Sequence, residues 1–244
     1  MDYREWPVAE ALAGLVKTVW SLDAGGPSTV RVSQDAIPDG CIDIIRRLSG
    51  RSDWRRAQPD RFVAGLIETP AMLTMSGDAR FVGVRLWPWA WNLLGGPPTP
   101  EFLDDWRPLA PEALGSLILS DPEAVMCALQ DAFGGMTPPA LAHHILRSRN
   151  VAELSIRSGL SYRQLQRWFS AEIGLAPRRY LKLLRFQQAF VDVTTRAQTD
   201  ADPVAPIGPA SVLHAARAVG AIAGARPATI QKRSHGPLLP SAPY

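Results

Sequence analysis

Tyr162, Arg163, Gln166, Arg167 and Ser170 fall on one face of a helix expected over residues 161–172. The chemistry this set can do is hydrogen bonding to base edges. An arginine fork donates two hydrogen bonds to guanine O6 and N7, and a glutamine amide pairs with adenine N6 and N7. Side chains in the N-terminal half of such a helix reach deepest into a major groove. The bland alternative is a solvated helix face, where Arg and Gln are also common. The neighbouring elements decide between the two.

Two helix starts stand in succession. Asn150 is a capping residue with Glu153 three positions on, and Ser161 is another with Gln164 three positions on. Each spacing is that of a capping box. Between them lies Ser158-Gly159-Leu160, and Gly159 supplies the backbone freedom that a tight helix-to-helix turn requires. Leu154 and Ile156 are expected to face inward from the first helix, with Leu160 plugging the turn. Leu165, Trp168, Phe169 and Ile173 make an apolar stripe on the second. The result is a helix-turn-helix with a polar, cationic outer face. From Leu141 to Arg196, ten Lys/Arg stand against three acids, the footprint expected for phosphate contacts.

The stretch from Val151 to Phe169 resembles the first helix-turn-helix of arabinose-regulator (AraC) type transcription regulators. The resemblance continues through Phe169, Gly174, Pro177, Tyr180, Leu181, Arg185 and Ala189, which match that family's F-x4-G-x2-P-x2-Y-L-x3-R-x3-A pattern. It covers about fifty residues: the recognition helix, its C-terminal turn and a long linker helix. It implies that Ser161, Tyr162, Arg163, Gln166 and Arg167 form the DNA-contacting end of the recognition helix. It also makes Arg178, Arg179 and Lys182 candidates for phosphate contacts. Arg185 is a candidate for either a phosphate contact or a structural ion pair, and Tyr180 and Leu181 read as core. Pro38-Asp-Gly-Cys-Ile-Asp-Ile-Ile and Arg80-Phe-Val-Gly-Val-Arg-Leu-Trp-Pro are similar to a sensor region found on some members, which implies a ligand-sensing or dimerising module.

The family's second helix-turn-helix should begin near residue 200. Asp202-Pro-Val-Ala-Pro-Ile-Gly-Pro stands there instead, no Phe follows Phe190, and no acid occurs after Asp202. The prolines would break the expected helix. Either the second unit has diverged beyond recognition, or the Ala/Pro/Arg-rich end reflects a frame change in a GC-rich gene. Nucleotide sequence encoding a good second unit in a shifted frame would support the latter.

Other candidate chemistry is thin. Cys41 lies in an apolar strand and reads as a small buried hydrophobe. Asp39 and Asp43 beside it read as a turn aspartate and a strand-face aspartate. His143-His144 has no partner spacing for a metal. Trp87, Trp89 and Trp91 alternate and could line a ligand pocket, or form a hydrophobic hinge or dimer surface. No nucleophile–base set, phosphate loop or metal spacing appears, so an enzyme, a cofactor and a metal site are not expected.

The fold class expected is α+β: a β-rich N-terminal domain followed by an all-α helix-turn-helix domain. Residues 1–108 form the β-rich sensor or dimerisation-like domain, 109–137 a helical connector, and 138–196 the helix-turn-helix and linker helix. Residues 197–244 form an atypical tail, degenerate or disordered. Strands are expected over Thr29–Val32, Cys41–Ile45, Arg61–Ile67, Met72–Met75 and Arg80–Leu86. In the last, Phe81, Gly83 and Arg85 alternate with Val82, Val84 and Leu86. Leu12, Leu15, Val16 and Val19 have helix spacing. Helices are expected over Pro111–Leu119, from Asp121-Pro122-Glu123 to Gly134-Gly135, and over Pro138–Arg149.

With 46% hydrophobic and 20% charged residues, the 244-residue chain has material for a sizeable core. Its formal charge of +3 and pI of about 9.1 say little about partners until their distribution is known. Two distant cysteines make no disulfide framework, no secretory signal opens the chain, and no apolar run is long enough to span a membrane. A cytoplasmic, membrane-free setting is therefore expected. The leading function is a sequence-specific DNA-binding transcription regulator reading the major groove with residues 161–172. The alternative is a sensor or dimerising remnant of such a regulator that does not bind DNA. The expected partner is double-stranded DNA; the reading also admits a small-molecule effector at the N-terminal domain and a homodimer.

Overall fold

The computed structural model describes residues 1–110, 117 and 121–199, with side chains described as far as Phe190. It is α+β, a β-rich N-terminal half followed by helices. Ten strands occur among the described residues: β1 Asp2–Trp6, β2 Val16–Asp23, β3 Arg31–Ala36, β4 Ile42–Ser49, β5 Ser52–Trp54, β6 Arg56–Ala57, β7 Arg61–Ala64, β8 Ala71–Ser76, β9 Arg80–Leu86 and β10 Trp106–Pro108. They form two antiparallel sheets, ordered β1-β2-β9-β4-β7-β10 and β3-β8-β5-β6. The helices are α1 Pro88–Leu93, α2 Pro122–Ala132, α3 Ala140–Leu146, α4 Val151–Ser158, α5 Tyr162–Glu172 and α6 Pro177–Thr199.

Period-2 alternation sends the two faces of the larger sheet into two different cores. Trp20, Leu22, Ile45, Phe62 and Phe81 point between the sheets, where they meet Trp54 and Met75 of the smaller one. Val19, Ile42, Ile44, Val82, Val84 and Leu86 point the other way and share one continuous core with Val125 of α2, Leu154 of α4, Phe169 of α5 and Tyr180 of α6. The alternation expected across Arg80–Leu86 is thus realised, with both faces buried for different reasons.

The helix spacing of Leu12, Leu15, Val16 and Val19 misleads. Only a 3₁₀ turn forms, Glu10–Leu12, and Val16 already belongs to β2. Gly14 interrupts the run, and Val16, Thr18, Val19 and Trp20 are β-branched or aromatic, which suits a pleated surface buried on both sides. The other expected strands form within a few residues of their expected ends, and the expected helices past residue 120 form as α2 to α6. The expected helix Pro111–Leu119 falls almost entirely outside the described residues, as do residues 200–244. No helix among the described residues is long and apolar enough to cross a membrane.

Trp87, Trp89 and Trp91 are at most 1% exposed. They open α1, and their indole N–H groups donate to the carbonyls of Ala13, Gly14 and Pro97 at 3.3, 2.8 and 2.8 Å. Trp87 and Trp89 stack at 5.4 Å, and Trp89 lies 6.5 Å from Trp168 of α5. These rings pack between the larger sheet and α5.

Candidate functional site

The helix-turn-helix is built by local rules that can be read bond by bond. Asn150 Oδ1 accepts from the Glu153 amide at 2.9 Å and starts α4. Glu153 does not complete a reciprocal box. Its Oε2 accepts from the Arg149 amide at 2.9 Å, one residue further back than expected, and its Oε1 from Arg157 Nε at 3.0 Å. These donors, the Arg149 amide first, hold its carboxyl below the usual range. Helix α4 ends at Gly159 in the left-handed region, φ 69°. Ser155 Oγ donates to the Leu160 carbonyl at 2.6 Å and closes the turn. Ser161 then starts α5 with a complete capping box, its amide donating to Gln164 Oε1 at 2.8 Å. Ser161→Ala is expected to lower stability by about 1 kcal/mol, measured by urea denaturation. An unchanged midpoint would show that α5 is held by packing alone.

Leu165, Phe169 and Ile173 are fully buried and Trp168 partly so, which fixes the rotation of α5 about its axis. That rotation turns Ser161, Tyr162, Arg163, Gln166, Arg167 and Ser170 outward, and all six are exposed. Ile156 departs from expectation: it is 83% exposed, whereas Leu154 is fully buried. Two positions along a helix turn by about 200°, so the two side chains cannot share one face.

The second half of the sequence pattern acquires a physical reading. Gly174 takes φ +82° and its amide donates to the Phe169 carbonyl at 2.9 Å, closing α5. Pro177 opens α6, where no backbone donor is needed. Tyr180 and Leu181 are core, as read from the sequence, and Tyr180 meets Phe169 edge-on at 6.0 Å. Arg178 and Lys182 are exposed. Arg179 is exposed too, but it pairs with Glu68 of the N-terminal half. Arg185 is exposed, makes no ion pair among the described residues, and places Nε 3.4 Å from the Leu181 carbonyl.

The N-terminal half contains a feature that sequence reasoning missed. A cavity of about 190 Å³ lies between the two sheets. Trp20, Trp54, Phe62 and Phe81 supply much of its apolar wall, and α6 contributes Gln187 and Phe190. At one side stands a part-buried ionic cluster, its side chains 13–18% exposed. Arg85 Nε lies 2.9 Å from Asp39 Oδ2 and 3.1 Å from Asp43 Oδ1, and its Nη1 lies 3.5 Å from Glu5 Oε1. Asp43 and Arg85 are cross-strand partners of β4 and β9. Trp20 faces Gly83 across β2 and β9, and its indole N–H donates to Asp43 Oδ1 at 2.8 Å. A Cβ at position 83 would sit 2.2 Å from the Trp20 ring, so this geometry requires glycine. The available signal was parity: Asp43 and Arg85 each interrupt an apolar strand on its inward face.

Burial raises the Asp43 carboxyl above its usual range; Arg85 pulls it down, Asp39 pushes it up, and the balance is upward. Burial pulls Arg85 down, but Asp43, Asp39, Tyr3 and Glu5 more than reverse this, so it stays charged. Burial likewise pushes the Cys41 thiol well up, consistent with an unreactive core thiol. The pH consequence for Asp43 follows from linkage. A carboxyl whose folded value lies above its unfolded value holds its proton longer in the native state. Its contribution to stability is therefore full below the unfolded value, about pH 3.9, and is lost as pH rises through the folded value. The stability difference between Asp43→Asn and wild type should shift toward the variant as pH rises through that window. Thermal melts across pH check this; a shift in the opposite sense would mean that the Arg85 pairing outweighs burial.

No group of three or more His, Cys, Asp or Glu that could hold a metal occurs among the described residues. Residues 4–106 match a family described as a domain of unknown function (DUF6597). No curated protein matches the chain. A solved structure of ToxT from Vibrio cholerae aligns over 97% of this chain and 100% of its own, with a TM-score of 0.44 and 9% identity. A second, ToxT from Vibrio cholerae O395, aligns over 89% and 97%, with a TM-score of 0.40 and 9% identity. At that degree of superposition, the functional reading rests on the chain's own residues.

Proposed function

We propose that this protein is a sequence-specific DNA-binding transcription regulator that reads the major groove with α5 and carries an effector cavity in its N-terminal half. One observation carries the reading. A fully capped helix in a helix-turn-helix setting buries its apolar stripe and leaves Arg163, Gln166 and Arg167 exposed together. Those are the side chains whose forks and amides match base edges. Arg178 and Lys182 at the start of α6 are proposed phosphate contacts, which hold the helix in register without reading sequence. Arg179 is proposed as a further phosphate contact, in competition with its pairing to Glu68. An effector in the cavity would bear on α6 directly through Gln187 and Phe190, and α6 follows α5 in the chain.

The second reading, a sensor or dimerising protein without DNA binding, draws on the sequence of residues 197–244, where the second unit of the resembled family is not recognisable. Losing half of the phosphate contacts would cost several orders of magnitude in affinity at physiological salt. A second copy joined through the N-terminal half would recover part of this by raising effective concentration.

The deciding experiment is selection from a pool of random duplexes by the full chain, at low and at physiological salt. Enrichment of a common sequence supports the regulator, with affinity falling as salt rises. No enrichment at either salt, from a sample shown to be folded, overturns it in favour of the sensor reading.

A further inference from the structure

The cavity between the sheets has a charge balance that selects among ligands. Its lining holds one guanidinium, Arg85, and three carboxylates, Asp35, Asp39 and Asp43; Asp39 and Asp43 lie 2.9 and 3.1 Å from Arg85 Nε, and Glu5, outside the lining, lies 3.5 Å from Arg85 Nη1. Arg85 is the one Lys or Arg among the residues that line the cavity. The balance of the lining is therefore negative. Arg85 is already engaged by three acids, so an anionic ligand would meet excess negative charge. Uncompensated buried charge is costly, and a bound cation relieves it.

Two further observations, independent of the charge count, point to an occupant. Gln187 on α6 is 4% exposed and lines the cavity, and its Nε2 has no hydrogen-bond partner among the described residues. Gln34 Oε1, on the opposite sheet and also lining the cavity, is buried and likewise without a partner there. Buried amides left unsatisfied are rare; an ammonium would donate to the Gln34 oxygen, and an aromatic ring would offer its face to the Gln187 N–H. The remaining wall is aromatic, and indole and phenyl faces attract cations. The volume of about 190 Å³ exceeds by a little the roughly 150 Å³ that takes up one benzene.

We propose that this cavity binds a compact organic monocation: one ring, or an apolar body of that size, carrying an amine. The ammonium lies beside Asp43, Asp39 and the Trp20 indole, and the ring lies against Phe62, Phe81 and Phe190. The Gln187 amide closes over it from α6. The proposal names the ligand class for the effector cavity of the reading above. It rests on that reading only for its regulatory consequence, not for binding itself.

The test titrates the full chain, without DNA, with three probes of similar size: 2-phenylethylammonium, neutral 2-phenylethanol and anionic 3-phenylpropanoate. Binding is followed by calorimetry and by tryptophan fluorescence. The cation is expected to bind at least tenfold tighter than either of the others. Asp43→Asn is expected to lower its affinity about tenfold, Gln187→Leu severalfold, and the cavity-filling Leu73→Trp to abolish it. Equal or tighter binding of the anion or the alcohol, or no binding of any probe, overturns the proposal. Unchanged binding of the cation to a folded Leu73→Trp also overturns it, by placing the probe elsewhere. The three-probe comparison on the unmodified chain decides the matter even where a variant fails to fold. Because no DNA is present, failure of duplex selection leaves this result intact, and failure here leaves duplex selection intact.

Discussion

Replacing Arg163 and Gln166 together by alanine is expected to abolish selective enrichment from a random duplex pool while leaving the fold and much of the salt-dependent, non-selective binding in place. Both side chains are exposed on α5. Neither makes a hydrogen bond or ion pair among the described residues, so their removal takes nothing from the core. Each bidentate contact to a base edge is worth about 1–3 kcal/mol of discrimination. The double variant therefore loses roughly 2–6 kcal/mol, at least about 30-fold in selectivity. Arg163→Lys keeps the charge but loses the planar fork, so it should retain affinity better than selectivity. Far-UV circular dichroism identical to wild type is the necessary control. If the double variant enriches the same sequence as wild type, α5 is not the reading element.

The second large effect concerns packing. Phe169→Ala is expected to destabilise the protein by about 3–5 kcal/mol, a large share of the 5–15 kcal/mol typical of a folded domain. Phe169 is fully buried on the inner face of α5, edge-on to Trp168 at 5.5 Å and to Tyr180 at 6.0 Å. The cluster it belongs to runs without a break from the outer face of the larger sheet, through Trp87 and Trp89, to α4, α5 and α6. Links outside the apolar core join the same parts. Tyr180 Oη donates to the Gly40 carbonyl at 2.9 Å, and Asn92 Nδ2 donates to the Ala171 and Glu172 carbonyls at 3.2 and 3.0 Å. Tryptophan fluorescence and helical dichroism should therefore be lost together, at a lower denaturant concentration than in wild type. Helices melting well before the sheet signal would show that the shared core does not couple the two halves.

The Tyr180 bond gives the cavity a mechanical route to the helices. Its acceptor, Gly40, closes the turn that carries Pro38 and Asp39, both of which line the cavity. The helix that donates this bond also supplies Gln187 and Phe190. An occupant touching Asp39 and Gln187 would bear on both ends of the connection. Only a difference in ligand affinity between two arrangements of α6 would turn this contact into regulation.

The sequence by itself determined what depends on near neighbours. Ser161 with Gln164, Gly159 in the left-handed region, and the stripe of Leu165, Phe169 and Ile173 are settled within one or two helical turns, and the structure carries them as read. The alternation of Phe81, Gly83 and Arg85 with Val82, Val84 and Leu86 was equally legible, because side-chain parity in a strand is local. Local rules misled where spacing and propensity competed. Val16 and Val19 suited a helix by spacing and a strand by branching, and pairing with β9 decided it.

Only the tertiary structure decided what comes from strand register and long-range closure. Asp43 and Arg85 are 42 residues apart in the chain, and nothing local makes them partners; the β4–β9 register does. Trp20 and Trp54 line the cavity while Trp87, Trp89 and Trp91 do not, because the first pair points between the sheets and the other three pack against helices. Gln187 carries no local signal that sets it apart from the other polar residues of α6. It became part of a cavity wall because α6 packs against the N-terminal half, which no window of sequence around residue 187 contains. A capped amphipathic helix such as α5 is built from contacts a few residues apart; the cavity is built from contacts between segments that meet only when the chain has folded.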